Sequence, residues 1–217
     1  MTGNMFPGSA RWFVGGLLTV AIASGGACGR QAESPLPADA RATGAHELPA
    51  AAGAIDQGSI FDLDLALVDQ EGRQLRLADL RGTVMLAAMV YTSCDSVCIM
   101  VTEQMKAIER QLAGVDDHVR YTLFSLDPGR DTPEAMRAFA RAQRLDTARW
   151  RLLAASEDDV RTLAAVLGVR YQLEENGEIA HSAMIFVIDG EGVVRHRQVG
   201  VGPDGGALVA AVRRARD

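Results

Sequence analysis

Two cysteines, Cys94 and Cys98, stand four residues apart in "YTSCDSVC". The thiolate is the form of cysteine that attacks and that binds metals. Side chains four apart share one face of a helix, so both sulfurs can face one point. Such a pair can exchange with a disulfide, grip a soft metal ion, or serve as a passive staple. Dithiol oxidoreductases mostly place two residues between their cysteines, and here there are three. A structural zinc site takes about four ligands, but the chain's one further cysteine is the distant Cys28. Two thiolates plus one imidazole suit Cu(I), and could hold Cu(II) with an added water or oxygen ligand.

The imidazole must come from His46, His118, His181 or His196. His46 lies in a Pro/Ala-rich stretch, and His118 in the hydrophilic "GVDDHVR". His196 alternates with Arg195 and Arg197, the pattern of an exposed strand face. His181 follows the turn-like "EENGE" at the start of the strand "SAMIFVID". Met89, Met100 and Met105 lie near the cysteines. Their spacing fits core packing, and Met100 alone stays as a remote ligand candidate.

The elements around these residues follow from apolar periodicity. "FDLDLALVDQEGRQLRLADL" alternates on either side of "DQEG" and reads as a hairpin. "TVMLAAMVY" is a continuous apolar run, as in a strand covered on both faces. From Val97 an apolar stripe at Val101, Met105, Ile108 and Leu112 predicts a helix ended by Gly114. Cys98 then sits in its first turn and Cys94 in the loop before it. A helix N-terminus favours thiolate, so a lowered thiol pKa is expected there. "VRYTLFSLDP" is a second buried strand. Thr132 with Pro133 opens a second helix. "RWRLLAA" is a strand, and Ser156 with Asp159 opens a helix that ends at Gly168. "HSAMIFVIDGEGVVRHRQVG" is a strand, a Gly turn and a strand, followed by the helix "GGALVAAVRRARD". Strands alternating with helices imply an α/β sheet with crossovers. The cysteines fall at the carboxyl end of its first central strand, where chemistry gathers in such sheets.

The 217 residues carry 22 basic and 28 acidic side chains, a net charge of −6, with no basic run. That excludes the electrostatic footprint of a nucleic-acid binder. The first 28 residues have Arg11, an apolar stretch to Ile22, small residues and then Cys28, an export-type segment. Cys28 directly after "GGA" is placed as a lipoprotein acceptor, although Gly25 departs from that pattern. Plain cleavage and an uncleaved anchor are the alternatives, and all three put the remainder outside the cytoplasm. Residues 29–59, with Pro35, Pro37 and Pro49, read as a flexible linker. The folded domain is expected over 60–217. In an oxidising compartment Cys94 and Cys98 tend toward a disulfide unless reduced or metallated.

"YTSCDSVC", then "SLDPGRDTP", then "AHSAMIFVIDGEG" occur in that order. Together they resemble the Sco/SenC family of copper-binding proteins. The resemblance implies an α/β, thioredoxin-like three-layer fold with a central mixed sheet and an N-terminal β-hairpin extension. It implies Cys94, Cys98 and His181 as the copper ligands. It makes Asp127 a supporting acid that holds the site's geometry or ligates weakly. Arg130 and Asp131 are expected to pin the loop by charge-assisted hydrogen bonds. Family members are anchored on the bacterial periplasmic side or its equivalent. They help assemble the CuA centre of cytochrome c oxidase, reduce a client's cysteines, or serve other copper enzymes. The implied partners are the oxidase subunit bearing CuA or another exported copper enzyme, an upstream copper donor or thiol reductant, and a membrane reached through the N-terminal anchor.

The sequence also departs from the family. Asp95 and Ile99 replace the prolines that usually follow the two cysteines, and the aromatic usually found just before the motif is missing from "AAMV". Asp95 is expected to oppose thiolate formation by like charge. A thioredoxin-type exchanger would show C-x-x-C and a proline before the later strand, where Ala180-His181-Ser182 stands instead. A peroxiredoxin would need a Pro- and Thr-bearing cysteine motif. The leading expectation is a copper metallochaperone rather than an enzyme, with one copper, Cu(I) or Cu(II), per chain. The alternative is a thiol:disulfide oxidoreductase in which Cys94 and Cys98 are the redox pair. A third reading, a stapled structural domain, makes His181 dispensable.

Overall fold

The structure, a computed structural model, describes residues 58–113, 118–202 and 205–216. These belong to the second of two units of the chain, Leu48–Asp217. The export-type segment, Cys28, His46, most of the linker and Gly114 lie outside the described residues.

Strands β1 (Ala66–Asp69) and β2 (Gln74–Arg76) form the expected hairpin, paired from Ala66↔Arg76 to Val68↔Gln74. Its turn closes on Asp69, whose carboxylate accepts from the backbone N–H groups of Glu71 and Arg73, both at 2.9 Å. Gly72 supplies the left-handed residue at φ +80°. The hairpin is shorter than the alternation suggests. Its flanks, Ile60–Asp62 and Leu77–Leu80, are single 3-10 turns.

Strand β3 (Met85–Val90) is buried at every position, as a continuous apolar run predicts. Helix α1 (Val97–Leu112) follows and buries Cys98, Val101, Met105, Ile108 and Leu112. Strand β4 (Arg120–Ser125) leads to helix α2 (Pro133–Ala142), capped by Thr132, whose side chain accepts from the Ala135 N–H. Strand β5 (Trp150–Ala155) leads to helix α3 (Glu157–Leu167). Ser156 caps α3, and Gly168 ends it in the left-handed region at φ +73°.

The sequence between α3 and the last hairpin holds an element that the apolar pattern did not reveal. Strands β6 (Tyr171–Leu173) and β7 (Ile179–His181) form a separate two-stranded ribbon. His181 therefore ends β7 and does not open the next strand. That strand, β8 (Met184–Ile188), is fully buried and pairs with β9 (Val194–Val199). Helix α4 (Gly206–Arg216) closes the chain.

The main sheet has the order β2-β1-β5-β4-β3-β8-β9. Strands β3, β4 and β5 run parallel, while β8 is antiparallel to β3 and β1 is antiparallel to β5. This is the mixed sheet expected. Helices α1 and α4 pack on each other and both touch β8, and α3 packs on β5. The complete burial of β3 and β8 requires cover on both sheet faces. Among the described residues no helix is long and apolar enough to cross a membrane.

Leu86 lies at the centre of this core with 0% exposure. Leu86→Ala should lower unfolding free energy by about 2–5 kcal/mol through lost burial and a residual cavity. A urea titration followed by far-ultraviolet circular dichroism reads the shift.

Candidate metal and thiol site

The sheet register brings three separated segments to one edge. Val90 of β3 pairs with Ser125 of β4, so the "YTSCDSVC" loop and the "LDPGRD" loop leave side by side. Because β8 runs antiparallel to β3, its start lies beside the end of β3. The two residues before β8, Ser182 and Ala183, join it to β7, which delivers His181 to the same edge.

There the Cys98 sulfur and His181 Nε2 approach to 3.4 Å across 83 positions of sequence. His181 Nδ1 lies 3.3 Å from the Ser182 carbonyl. A carbonyl can only accept, so Nδ1 carries the proton and Nε2 keeps its lone pair on the side of the sulfurs. Burial holds the His181 pKa below its usual value, against the opposing Ser182 hydrogen bond. Cys94 and Cys98 are both buried free thiols.

The two thiols differ sharply. The Cys98 N–H, one of the first free donors of α1, points at the Cys94 sulfur at 3.4 Å. Ser96, the N-cap residue, makes no side-chain cap bond, so the Cys94 sulfur occupies the capping place. Burial acts to raise the Cys94 pKa, but hydrogen bonds from the Cys98 thiol and the backbone of Ser96 and Cys98 outweigh it. Its thiol stays below the ordinary value. Cys98, at 0% exposure, is pushed far upward by burial, by its hydrogen bond to Cys94 and by nearby negative charge. The helix terminus therefore favours thiolate as expected, but at the residue before the helix and not at the one inside it.

A second carboxylate, Asp131, works against a Cys98 thiolate from the core side. Asp95 is exposed. Asp131 is 2% exposed and accepts the Thr92 N–H at 3.0 Å, the Thr92 hydroxyl at 2.6 Å and the Ser125 hydroxyl at 2.6 Å. Burial raises its pKa despite these bonds. Asp131 thus ties the cysteine loop to the end of β4, the pinning role expected of it.

Asp127 and Arg130 act one step away from the sulfurs. Their side chains form an ion pair, and Arg130 Nη2 donates to the Gly177 carbonyl at 2.7 Å. Gly177 sits in the ribbon turn at φ +82°. The pair therefore holds the tip of the ribbon whose far end is His181. Tyr91 holds β7 at both of its ends. The phenol oxygen accepts the Ile179 N–H at 3.4 Å, and the ring meets His181 edge-on at 5.9 Å. Tyr91 supplies an aromatic inside the motif although "AAMV" has none before it. The ribbon was signalled by "NG" between "YQL" and "IAH", a hairpin turn pair. Tyr91 carried no signal beyond its place in the motif.

A cleft of about 410 Å³ opens over Cys94 and His181, lined also by Tyr91, Asp95, Glu174 and Glu178. A larger one, about 780 Å³, lies between the β1–β2 hairpin and the start of α2, away from the sulfurs. The smaller cleft holds the reactive groups and is the functional one. Met100 is 56% exposed and lines a different hollow, against Val201 and Gly202. His118 and His196 do not line the thiol cleft. Cys94, Cys98 and His181 are the groups here suited to a soft metal. Among the described residues no three His, Cys, Asp or Glu side chains converge as a ready-made cage.

The thiol asymmetry sets a pH response. Alkylation by iodoacetamide should go first to Cys94, with a rate that rises with pH and levels off below the ordinary thiol pKa. Cys98 should stay unmodified throughout, and Cys94→Ser should abolish the fast phase, as read by peptide mass mapping. Arg130→Ala should raise amide exchange in the 174–178 turn about threefold to tenfold, since an exposed guanidinium bond is lost.

The SCO1/SenC family model matches residues 54–215. An SCO1 protein homolog of Bacillus subtilis is 26% identical over 129 residues, which are 58% of this chain and 67% of that protein. A SCO1/SenC family lipoprotein of Bacillus anthracis superposes with a TM-score of 0.65 at 25% identity, covering 71% of this chain and 97% of that one. BsSco, described as a Sco family cytochrome c oxidase assembly protein with a disulfide switch, gives 0.62 at 24% identity over 70% and 90%. Copper-bound ScoI of Bradyrhizobium japonicum gives 0.55 at 21% identity over 70% and 96%. The last two identities speak for the fold alone. The sheet order, the cysteine loop at the end of β3 and a family match over 54–215 make this chain a member of the SCO1/SenC family.

Proposed function

We propose that this chain is an extracytoplasmic copper carrier in which Cys94, Cys98 and His181 hold one copper ion. The observation that carries the reading is the 3.4 Å approach of Cys98 sulfur to His181 Nε2. A metal about 2.3 Å from sulfur and 2.0 Å from nitrogen, at a tetrahedral angle, separates the two donors by about 3.5 Å. The two side chains already stand at that spacing. The donor chemistry agrees: two soft sulfurs and one neutral imidazole suit copper, Cu(I) above all. His181 is kept neutral by burial, which leaves its lone pair free for a metal. The copper-bound ScoI structure shares the fold and supports the choice of metal.

In this reading Cys94 and Cys98 bind as thiolates. Metal binding releases their protons. The Cys98 proton is the harder to remove, because its thiol is buried. Release to a client proceeds by exchange of these ligands for the client's cysteines or histidines. The description of BsSco as a cytochrome c oxidase assembly protein supports that oxidase as the destination, and the resemblance of the three motifs to the family points to its CuA centre. Cys28 as a lipid acceptor would tether the carrier, a reading supported by the Bacillus anthracis lipoprotein.

A second reading rests on the thiol asymmetry. A sulfur with a lowered pKa beside a buried partner is the arrangement of an attacking thiol and its resolving thiol. In that reading the pair reduces a client's disulfide and no copper is carried.

Copper stoichiometry on the reduced protein separates the two. The carrier binds one copper per chain, and Cys94→Ser/Cys98→Ser loses it. His181→Ala should weaken Cu(II) far more than Cu(I), because two thiolates alone can hold Cu(I). The thiolate-to-Cu(II) charge-transfer band should vanish in His181→Ala. Full-affinity copper binding by the double serine variant would sink the carrier, and rapid disulfide exchange without stable copper would establish the reductase.

A further inference from the structure

The described residues expose three large apolar side chains strongly: Met100 at 56%, Leu173 at 67% and Val199 at 60%. They are far apart in sequence, yet the register places all three at the thiol end of the sheet. Met100 lies two residues beyond Cys98, in the first turns of α1. Val199 pairs with Met184, the first residue of β8, beside the end of β3. Leu173 pairs with Ile179 in the ribbon, as Tyr171 pairs with His181. Paired residues and their neighbours two along share one ribbon face, so Leu173 stands on the face of His181.

The second observation is charge. Asp95, Glu174 and Glu178 line the thiol cleft, and no Lys or Arg lines it. None of the three carboxylates belongs to an ion pair among the described residues. Two cations flank the ribbon: Arg130 at its tip is taken up by Asp127 and the Gly177 carbonyl, and Arg170 at its base is exposed but outnumbered by the three carboxylates. The mouth of the site is therefore acidic, with Leu173 on the ribbon beside it and Met100 and Val199 exposed at the same end of the sheet but outside the cleft.

We propose that this end of the molecule is the docking surface for a client protein segment that is apolar, carries cysteine, and is flanked by Lys or Arg. The proposal rests on the carrier or reductase reading and names the partner's chemistry. Charge decides among the occupants. A second copy docked by the same patch would set acidic mouth against acidic mouth. An anionic lipid surface would be repelled by the same carboxylates. A basic segment gains from both terms, through apolar burial and through steering of the encounter.

The test uses the full chain in reduced form and two synthetic peptides. Each has one cysteine in the same apolar core, joined by a disulfide to nitrothiobenzoate, and each is flanked by lysines or by glutamates. Cys94 thiolate attacks the peptide sulfur, forming a mixed disulfide and expelling coloured nitrothiobenzoate thiolate. The Cys98 thiol then gives up its proton, closes the Cys94–Cys98 disulfide and releases the peptide thiol. The mixed disulfides gain the two electrons that the pair loses. The lysine peptide should react about tenfold faster at low salt, and the ratio should fall toward one near 1 M salt. Glu174→Lys/Glu178→Lys should invert the preference. Leu173→Ser/Val199→Ser should slow both peptides alike while keeping their ratio.

Equal rates for the two peptides, or a preference unchanged by the lysine substitutions, would overturn the proposal. So would a dimer in sedimentation that Leu173→Ser/Val199→Ser dissolves. The exchange needs no copper. Charge discrimination without copper binding would leave the docking surface standing and remove the carrier. Stoichiometric copper without discrimination would do the reverse.

Discussion

The site depends on one pairing, the antiparallel contact of β8 with β3, from Met85↔Ile188 to Ala88↔Ile185. A parallel neighbour would begin at the opposite end of β3 and bring its leading segment there. The antiparallel one brings its leading segment to the edge where the cysteine loop begins. Both strands are fully buried, so a one-residue slip would displace a tightly packed layer. The meeting of Cys98 and His181 is thus fixed by core packing far more than by any bond within the site.

Around that meeting point the polar contacts divide the work. Asp131 fixes the cysteine loop through Thr92 and ties it to β4 through Ser125. Tyr91 holds β7 through Ile179 and His181, and Arg130 holds the ribbon tip. The sulfurs take opposite characters from a single geometric fact. The first free donor of α1 is aimed at Cys94, while Cys98 is sealed in the core beneath it. A helix terminus stabilises the anion that its N–H groups touch, and here that anion precedes the helix.

Much of this was legible before any coordinates. The run "TVMLAAMVY" read as a strand covered on both faces, and Thr132-Pro133 and Ser156 to Gly168 marked helix ends by residue type, which the structure bears out. The grouping of Cys94, Cys98 and His181 was what the resemblance to the Sco/SenC family implied. The ribbon was not legible as strands, because three-residue strands with a polar turn have no apolar period to detect. Asp95 looked like the acid that mattered because it is adjacent in sequence. Asp131 matters as well, because it is adjacent in space and shielded from water, which is information that only the β3–β4 register holds. For the same reason the sequence located the helix terminus but did not say which of the two sulfurs it favours. Burial of Cys98 is a property of the packed core.

The ribbon is a sheet of its own, hydrogen-bonded to no strand of the main one. One donor is thereby mounted on an appendage and the other two on the rigid body. Substitutions at its exposed positions, Gln172, Leu173 and Ala180, can change how long the imidazole stays over the sulfurs without disturbing the seven-stranded core. Residence time and fold stability can then be tuned by separate sets of residues, a modularity open to selection and to engineering alike.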